Sequence, residues 1–350
     1  MIKIFFTVVL LYINTYALSL SSDDKYKLFQ GEKYSITFTS DYENEAIYIK
    51  KNIDDFLEHN DRSFGYSFDD KIKIVLISNN IQVPNAFSTQ VPYNLGVYFN
   101  GGSGMNEYFS NSSWLTTLLT HEMIHNYQTN AKKSEISKTL HKYLGNNYMP
   151  VFAVAPFFTL PNLLLPTAIL EGDAVLNESL YNNGGRLFNG SLNAMKNSLV
   201  FNNKITPSRF INDHLEFPYT TEKYIVGGFY MQYMANKYGV DKVNQFFYEN
   251  SIHSINPFLL NSSYENHFGI EFEQSIRDFV NFTKDKYKGY KELKNKNILA
   301  RSKSEVYFSK IENNIYYITT DLIEEKRLNI YDLNTNSIRY NNTSLPNGKV

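Results

Sequence analysis

The sequence predicts an α+β chain with a small mixed sheet at its N-terminal end, a mainly helical body, and a short antiparallel β segment at its C-terminal end. Three observations carry that expectation. Strand-like alternation and helical spacing succeed one another up to about residue 100, and helical periodicity dominates from about residue 112 to 285. Beyond residue 304, short aromatic and β-branched runs are separated by polar turns. At 350 residues the chain has room for about two domains. Its 34 Lys+Arg against 35 Asp+Glu exclude a globally basic nucleic-acid binder, and 43% hydrophobic residues exclude an acidic disordered chain. With no Cys, a metal site must be built from His, Asp and Glu, and only seven His are present.

The elements follow in order. Residues 1–19 (MIKIFFTVVLLYINTYALS) place Lys3 before an apolar run and small residues at Ala17 and Ser19, the layout of a secretory signal peptide. The apolar run is too short for a bilayer span of about 20 residues, so a periplasmic or extracellular protein is expected. Residues 33–40 alternate with Ile36 and Phe38 on one face, and Ser40 with Glu43 forms a capping-box signature for a helix reaching about Glu58. Ala46, Ile49, Ile53, Phe56 and Leu57 give that helix one apolar face. Residues 71–78 (KIKIVLIS) and 96–100 read as strands, the second ahead of the turn Gly101-Gly102.

Helical pattern then begins, and Trp114, Leu115, Leu118 and Leu119 precede the sequence THEMIHNYQT in what reads as an amphipathic helix. Residues 151–170 are almost wholly apolar, but Pro156, Pro161 and Pro166 would break a spanning helix repeatedly. A buried or substrate-facing loop is expected there, and membrane contact is disfavoured. Helices resume at 169–180, 223–238, 240–249 and 272–282. The basic stretch KDKYKGYKELKNKN reads as a solvated helix end or linker.

His121-Glu122-Met123-Ile124-His125 is an H-E-x-x-H pattern. An i,i+4 pair lies on one helix face, so two imidazoles can converge on one Zn²⁺, with the Glu122 carboxylate beside them as general base. A catalytic zinc needs a third protein ligand, and His141, His214 and carboxylates are candidates. The residues after His125 exclude the metzincin extension that supplies a third His. Glu171, in LEGDA, starts a helical stretch just after the apolar segment, a setting that could hold a carboxylate at the metal. Glu178 lies two turns further along the same face, where it could hydrogen-bond the ligand histidines.

These motifs resemble the gluzincin metallopeptidases, especially the peptidase MA-like group related to the M1 aminopeptidases. The resemblance implies a zincin fold over residues 31–285, with His121, His125 and Glu171 as metal ligands and Glu122 activating water. It extends to a Y-x-x-G-G-x-x-x-x-Y-x-x-x-x-Y-G stretch running from Tyr224 to Gly239. That stretch makes Tyr224 the first choice, ahead of Tyr219, Tyr230 and His214, as a donor to transition-state oxygen charge. The interval from His125 to Glu171 is longer than in M1 enzymes and the G-x-M-E-N signature is absent, so aminopeptidase specificity is not implied. The strand at 96–100 would border the cleft and could add an extended peptide as a further strand.

The expected organisation is a signal peptide at 1–19, a metallopeptidase domain at 31–285, a linker at 286–303 and a β segment at 304–350. The last segment resembles one blade of a TolB-like β-propeller, an architecture that needs about four blades or more. Function is expected to be secreted, zinc-dependent hydrolysis of a peptide or protein substrate. The alternative is a catalytically inactive zincin-fold envelope protein that binds or scaffolds.

Overall fold

Alternation decides the first layer. Tyr34, Ile36 and Phe38 of one strand, and Ile72, Ile74 and Leu76 of the next, turn their side chains to one buried face. A computed structural model describes residues 26–67, 70–77, 85–89, 95–99, 114–144, 161–182, 184–212, 218, 221–253, 256, 258–289, 299, 307–319 and 327–344. The expected leader, the first half of the proline-rich segment (151–160), most of the linker, and His214 and Tyr219 lie outside these residues.

The N-terminal sheet contains β1 (Tyr26–Gln30), β2 (Tyr34–Thr39), β3 (Ile72–Ile77), β4 (Asn85–Thr89) and β5 (Leu95–Phe99), in the order β1-β2-β3-β5-β4. It is mixed: β2, β3 and β5 run parallel, while β1 and β4 pair antiparallel at its two edges. Helix α1 (Glu43–Phe64) covers the apolar face with Ala46, Ile49, Ile53, Phe56, Leu57 and Phe64. The capping-box expectation fails, because a 3₁₀ turn at Ser40–Tyr42 intervenes and Tyr42 becomes the N-cap without a side-chain hydrogen bond. The helix also runs past Glu58. Its last turn buries Ser63, whose hydroxyl donates to Asp241 and accepts from Asn244, and Gly65 ends it at a left-handed φ of 75°.

Pairing corrects the expected cleft border. The strand read at 96–100 is β5, which has a neighbour on each side, so it cannot add a peptide strand. The segment NAFST, too short and too polar to stand out in the sequence, forms β4 and takes the edge, where it packs against the helix carrying the H-E-x-x-H pattern.

The helical body contains α2 (Trp114–Asn130), α3 (Glu135–Leu144), α4 (Thr167–Asn182), α5 (Gly190–Phe201), α6 (Pro207–Ile211), α7 (Glu222–Tyr238), α8 (Val240–Asn250), α9 (Leu260–Phe268) and α10 (Phe272–Lys286). No helix among the described residues is long and apolar enough to cross a membrane. Tyr230 is fully buried within an aromatic cluster with Phe210, Phe272 and Phe279, and its hydroxyl lies 2.6 Å from Ser275 Oγ. It therefore packs the core and is not available as an oxyanion donor.

Helices α4 and α7 make the most extensive contact among the described helices. A Cβ on Gly172 would fall 2.4 Å from the carbonyl carbon of Gly227, and one on Gly227 would fall 2.2 Å from the carbonyl oxygen of Ala168. Two glycines thus allow backbone to meet backbone, which brings the first turn of α7 beside Glu171.

The C-terminal sheet is an antiparallel meander of β6 (Tyr307–Ile311), β7 (Asn314–Thr319), β8 (Arg327–Asp332) and β9 (Ser337–Ser344). That is the strand number of one propeller blade, and no second blade is present among the described residues. The chain thus has the expected α+β architecture, with a mixed sheet, a helical core and a short antiparallel sheet.

Candidate metal centre

Helix α2 is buried on nearly every side, so the amphipathic expectation is wrong in an informative way. Leu118, Leu119, Met123, Ile124 and Tyr127 pack in the core, yet Thr117, Thr120, His121, Glu122, Asn126 and Gln128 are buried too. Buried polar groups must find partners. Tyr127 donates to Asp61 Oδ1 at 2.5 Å and to Leu57 O at 3.0 Å, anchoring α2 to α1. At the C-terminal end of α2, Asn162 Nδ2 donates to Gln128 O at 2.6 Å and to Phe247 O at 2.9 Å.

On the remaining face, His121, His125 and Gln128 follow one another at spacings of four and three. Opposite them, α4 presents Glu171. The Nε2 atoms of His121 and His125 are 3.3 Å apart, and Glu171 Oε2 lies 3.1 Å from the first and 3.3 Å from the second. His141, a candidate third ligand, is elsewhere, with its Nε2 2.9 Å from Asp70 Oδ2. Among the described residues, His121, His125 and Glu171 form the group with metal-ligand geometry.

The far side of each ring settles which nitrogen carries a proton. Gln128 Nε2 lies 2.9 Å from both Leu170 O and Asp173 Oδ2, and because a backbone carbonyl can only accept, the contact with Leu170 fixes this end of the amide as the donor. Gln128 Oε1 must then face His125, where it accepts the Nδ1 proton at 2.9 Å. Glu178 Oε2 accepts the Nδ1 proton of His121 at 2.9 Å, and Arg186 steadies that carboxylate through Nη1 and its backbone N–H, both at 3.2 Å. Each histidine therefore points an Nε2 lone pair at the other and at a carboxylate oxygen.

Three electron-rich atoms in mutual contact repel unless a cation or proton lies among them. A tetrahedral ion with bonds of about 2.0–2.1 Å has ligand–ligand edges of about 3.3–3.4 Å, close to the edges measured here. The donor set fits a divalent ion.

Without a metal, a proton takes that place. Burial favours neutral His121, but hydrogen bonds to Glu171 and Glu178 outweigh it and raise the pKa to about 9. Burial works against the Glu171 carboxylate, yet His121 and His125 hold its pKa far below the usual range. In the metal-free protein a raised His121 pKa adds stability below pH 6.5, and this contribution is lost as pH rises through about 9. A cation must displace the same proton. Divalent-metal affinity, read by chelator competition, is therefore expected to climb with pH until about 9 and then level off; affinity that is flat below that point would count against the assignment.

Glu122, next to His121, is buried beside the cluster. Tyr224, in the first turn of α7, has its ring centroid 6.0 Å from that of His121, with the Arg186 guanidinium 4.8 Å and Lys223 Nζ 5.2 Å from its own. Burial, followed by the charge of Glu171, pushes the Tyr224 hydroxyl pKa well above its ordinary value, so it remains protonated.

Gln128, Asp173, Arg186 and Lys223 were not legible as site residues. Gln128 alone left a trace, one turn beyond His125 on the same helix face. The other three reach the site through contacts between elements, and Arg186 comes from the short 3₁₀ turn Arg186–Phe188.

No known protein-family profile and no curated protein matches the chain. Among solved structures it is similar to an M1 zinc metallopeptidase from Deinococcus radiodurans, with 14% identity and a TM-score of 0.41 over 73% of this chain and 51% of that one. It is also similar to an aminopeptidase N family protein from Idiomarina loihiensis, with 10% identity and a TM-score of 0.35 over 73% of this chain and 46% of that one. The chain spans about half the length of the structures it matches.

Proposed function

We propose that this protein is an exported zinc metallopeptidase of the gluzincin type, hydrolysing peptide bonds in a peptide or protein substrate. The observation that carries the reading is the His121–His125–Glu171 triangle, whose two Nε2 lone pairs are freed by Glu178 and Gln128. Zinc held by these three residues would polarise the scissile carbonyl and make water acidic enough to react near neutral pH.

The chain's own groups supply the proton movements. Glu122 takes a proton from the attacking water and delivers it to the leaving amine. Tyr224, kept protonated by its surroundings, donates to the oxyanion. The exposed edge of β4, beside α2, offers backbone groups to an extended peptide. Residues 1–19 act as the export signal and 31–285 as the catalytic domain, and the β segment at 304–350 follows a linker at 286–303.

The test uses purified protein at full zinc occupancy with a broad peptide library. Zinc-dependent cleavage is the expected result. Failure to cleave any member at full occupancy would replace this reading with that of a binding or scaffold protein.

A further inference from the structure

The Glu171 carboxylate has its two oxygens in different company. Oε2 touches both histidine Nε2 atoms, whereas Oε1 lies 3.3 Å from Lys223 Nζ. We propose that Lys223 is a positioning residue for the metal centre: its ammonium engages Oε1, so Glu171 offers the cation only Oε2 and the remaining coordination positions stay open for water and substrate. This inference rests on the reading of His121, His125 and Glu171 as metal ligands.

A carboxylate can bind a metal through one oxygen or both, and a competing donor on the second oxygen favours the first mode. Lys223 suits that task. An ammonium is a compact charge with three donors on a flexible stem, and it cannot itself bind a cation while protonated.

The surrounding structure fixes where that stem begins. The preceding residue, Glu222, is held by a buried double contact with Arg209, with Nε to Oε1 at 2.9 Å and Nη2 to Oε2 at 2.7 Å. One turn later the Gly227 backbone is pressed against α4 near Gly172. Lys223 therefore starts from a backbone anchored on both sides, directly beside Glu171. Its ammonium is partly buried, with the side chain 21% exposed, and it also lies over the Tyr224 ring.

Removing the ammonium frees Oε1 to become a second donor and removes a like charge from beside the cation. Coordination number should rise and metal affinity should not fall. This distinguishes a positioning role from a structural one, since a loosened site would bind metal more weakly.

Cobalt(II) reports the difference, because its visible d–d bands are intense in four-coordinate tetrahedral sites and weaker in five-coordinate ones. With the full-length protein loaded with Co²⁺, Lys223→Met is expected to show a weaker, shifted band with affinity retained or raised. Lys223→Arg, which keeps a charged donor at this position, is expected to restore the wild-type band. Lys223→Ala carries the same expectation as the Met variant should that protein not fold. A wild-type band in the Met or Ala variant, a lower affinity, or failure of Arg to restore the band would overturn the proposal. Wild-type protein that binds no Co²⁺ would instead remove the metal-site reading and this inference with it.

Discussion

Under the proposed function, Glu122→Gln protein is expected to bind zinc as wild type does while its peptide hydrolysis falls by about 10²–10⁴-fold, the usual contribution of a positioned general base. Glu122 follows His121 on α2, about 100° further round the helix, and it lies outside the His121–His125–Glu171 triangle that could hold a metal ion. Glutamine preserves the shape of the side chain and its buried packing, but its amide cannot take a proton from water near neutral pH. The loss should therefore fall on kcat. Bound zinc, measured on the same samples, should be unchanged. Activity within a few-fold of wild type would remove Glu122 from the mechanism, and loss of zinc would mean that this side chain helps to hold the ion.

Gly227→Val is expected to be the most damaging single change to the fold. The added Cβ would lie 2.2 Å from Ala168 O, and Gly172→Val would drive its Cβ between 2.4 and 2.8 Å from three backbone atoms of Gly227. Because the obstructing atoms are backbone, no rotamer change can relieve the clash, and α4 must separate from α7. The cost should reach or exceed the upper end of the ~1–3 kcal/mol typical of overpacked cores. Thermal unfolding measures it directly, and Gly190→Ala is the control, since nothing lies within 4 Å of an added Cβ there. Where enough folded Gly227→Val protein remains, its metal centre should also be impaired, because Tyr224 and Lys223 approach Glu171 only while the helices touch. A Gly227→Val protein as stable as the Gly190→Ala control would show that α4 and α7 do not meet as described.

Part of this site was legible because its spacing is a property of a single helix. His121 and His125 share a face whatever surrounds them, and the absence of Cys left His and carboxylates as the available strong metal ligands. Glu171 was found from a local setting and a motif resemblance. Glu178 was found by helical spacing from Glu171, although it contacts His121 and not both histidines. Tyr224 and Tyr230 show the limit of the same approach: both lie on α7 within a motif of repeated tyrosines, yet one reaches the cluster and the other is sealed among Phe210, Phe272 and Phe279. Nothing within α7 distinguishes them, because the difference is set by which neighbour each side of the helix meets.

Sheet order followed the same division. The alternation of Ile36 and Phe38 and the run KIKIVLIS marked two strands, because an apolar face must be buried, but only pairing placed them at the centre of the sheet. The segment that forms β4 carries a weak apolar pattern and was not read as a strand, so the cleft-border role that the family resemblance implies fell to the strand at 96–100, which is β5.

By itself, then, the sequence determined the α+β order of elements, the carboxylate-and-imidazole chemistry open to a chain without cysteine, and the His121–Glu122–His125 face of one helix. Tertiary structure alone decided that Gln128 pairs with His125, that Glu178 meets His121, that Asp173 and Arg186 support these two partners, that Lys223 stands beside the second oxygen of Glu171, and that β4 packs against the helix of the two histidines. The physical reason is range. Helical and strand periodicity are set by bonds a few residues apart, whereas the His121–His125–Glu171 triangle with edges near 3.3 Å depends on two helices meeting whose residues are far apart in the chain, as does the approach of Lys223 and Tyr224 to Glu171 through Gly172 and Gly227.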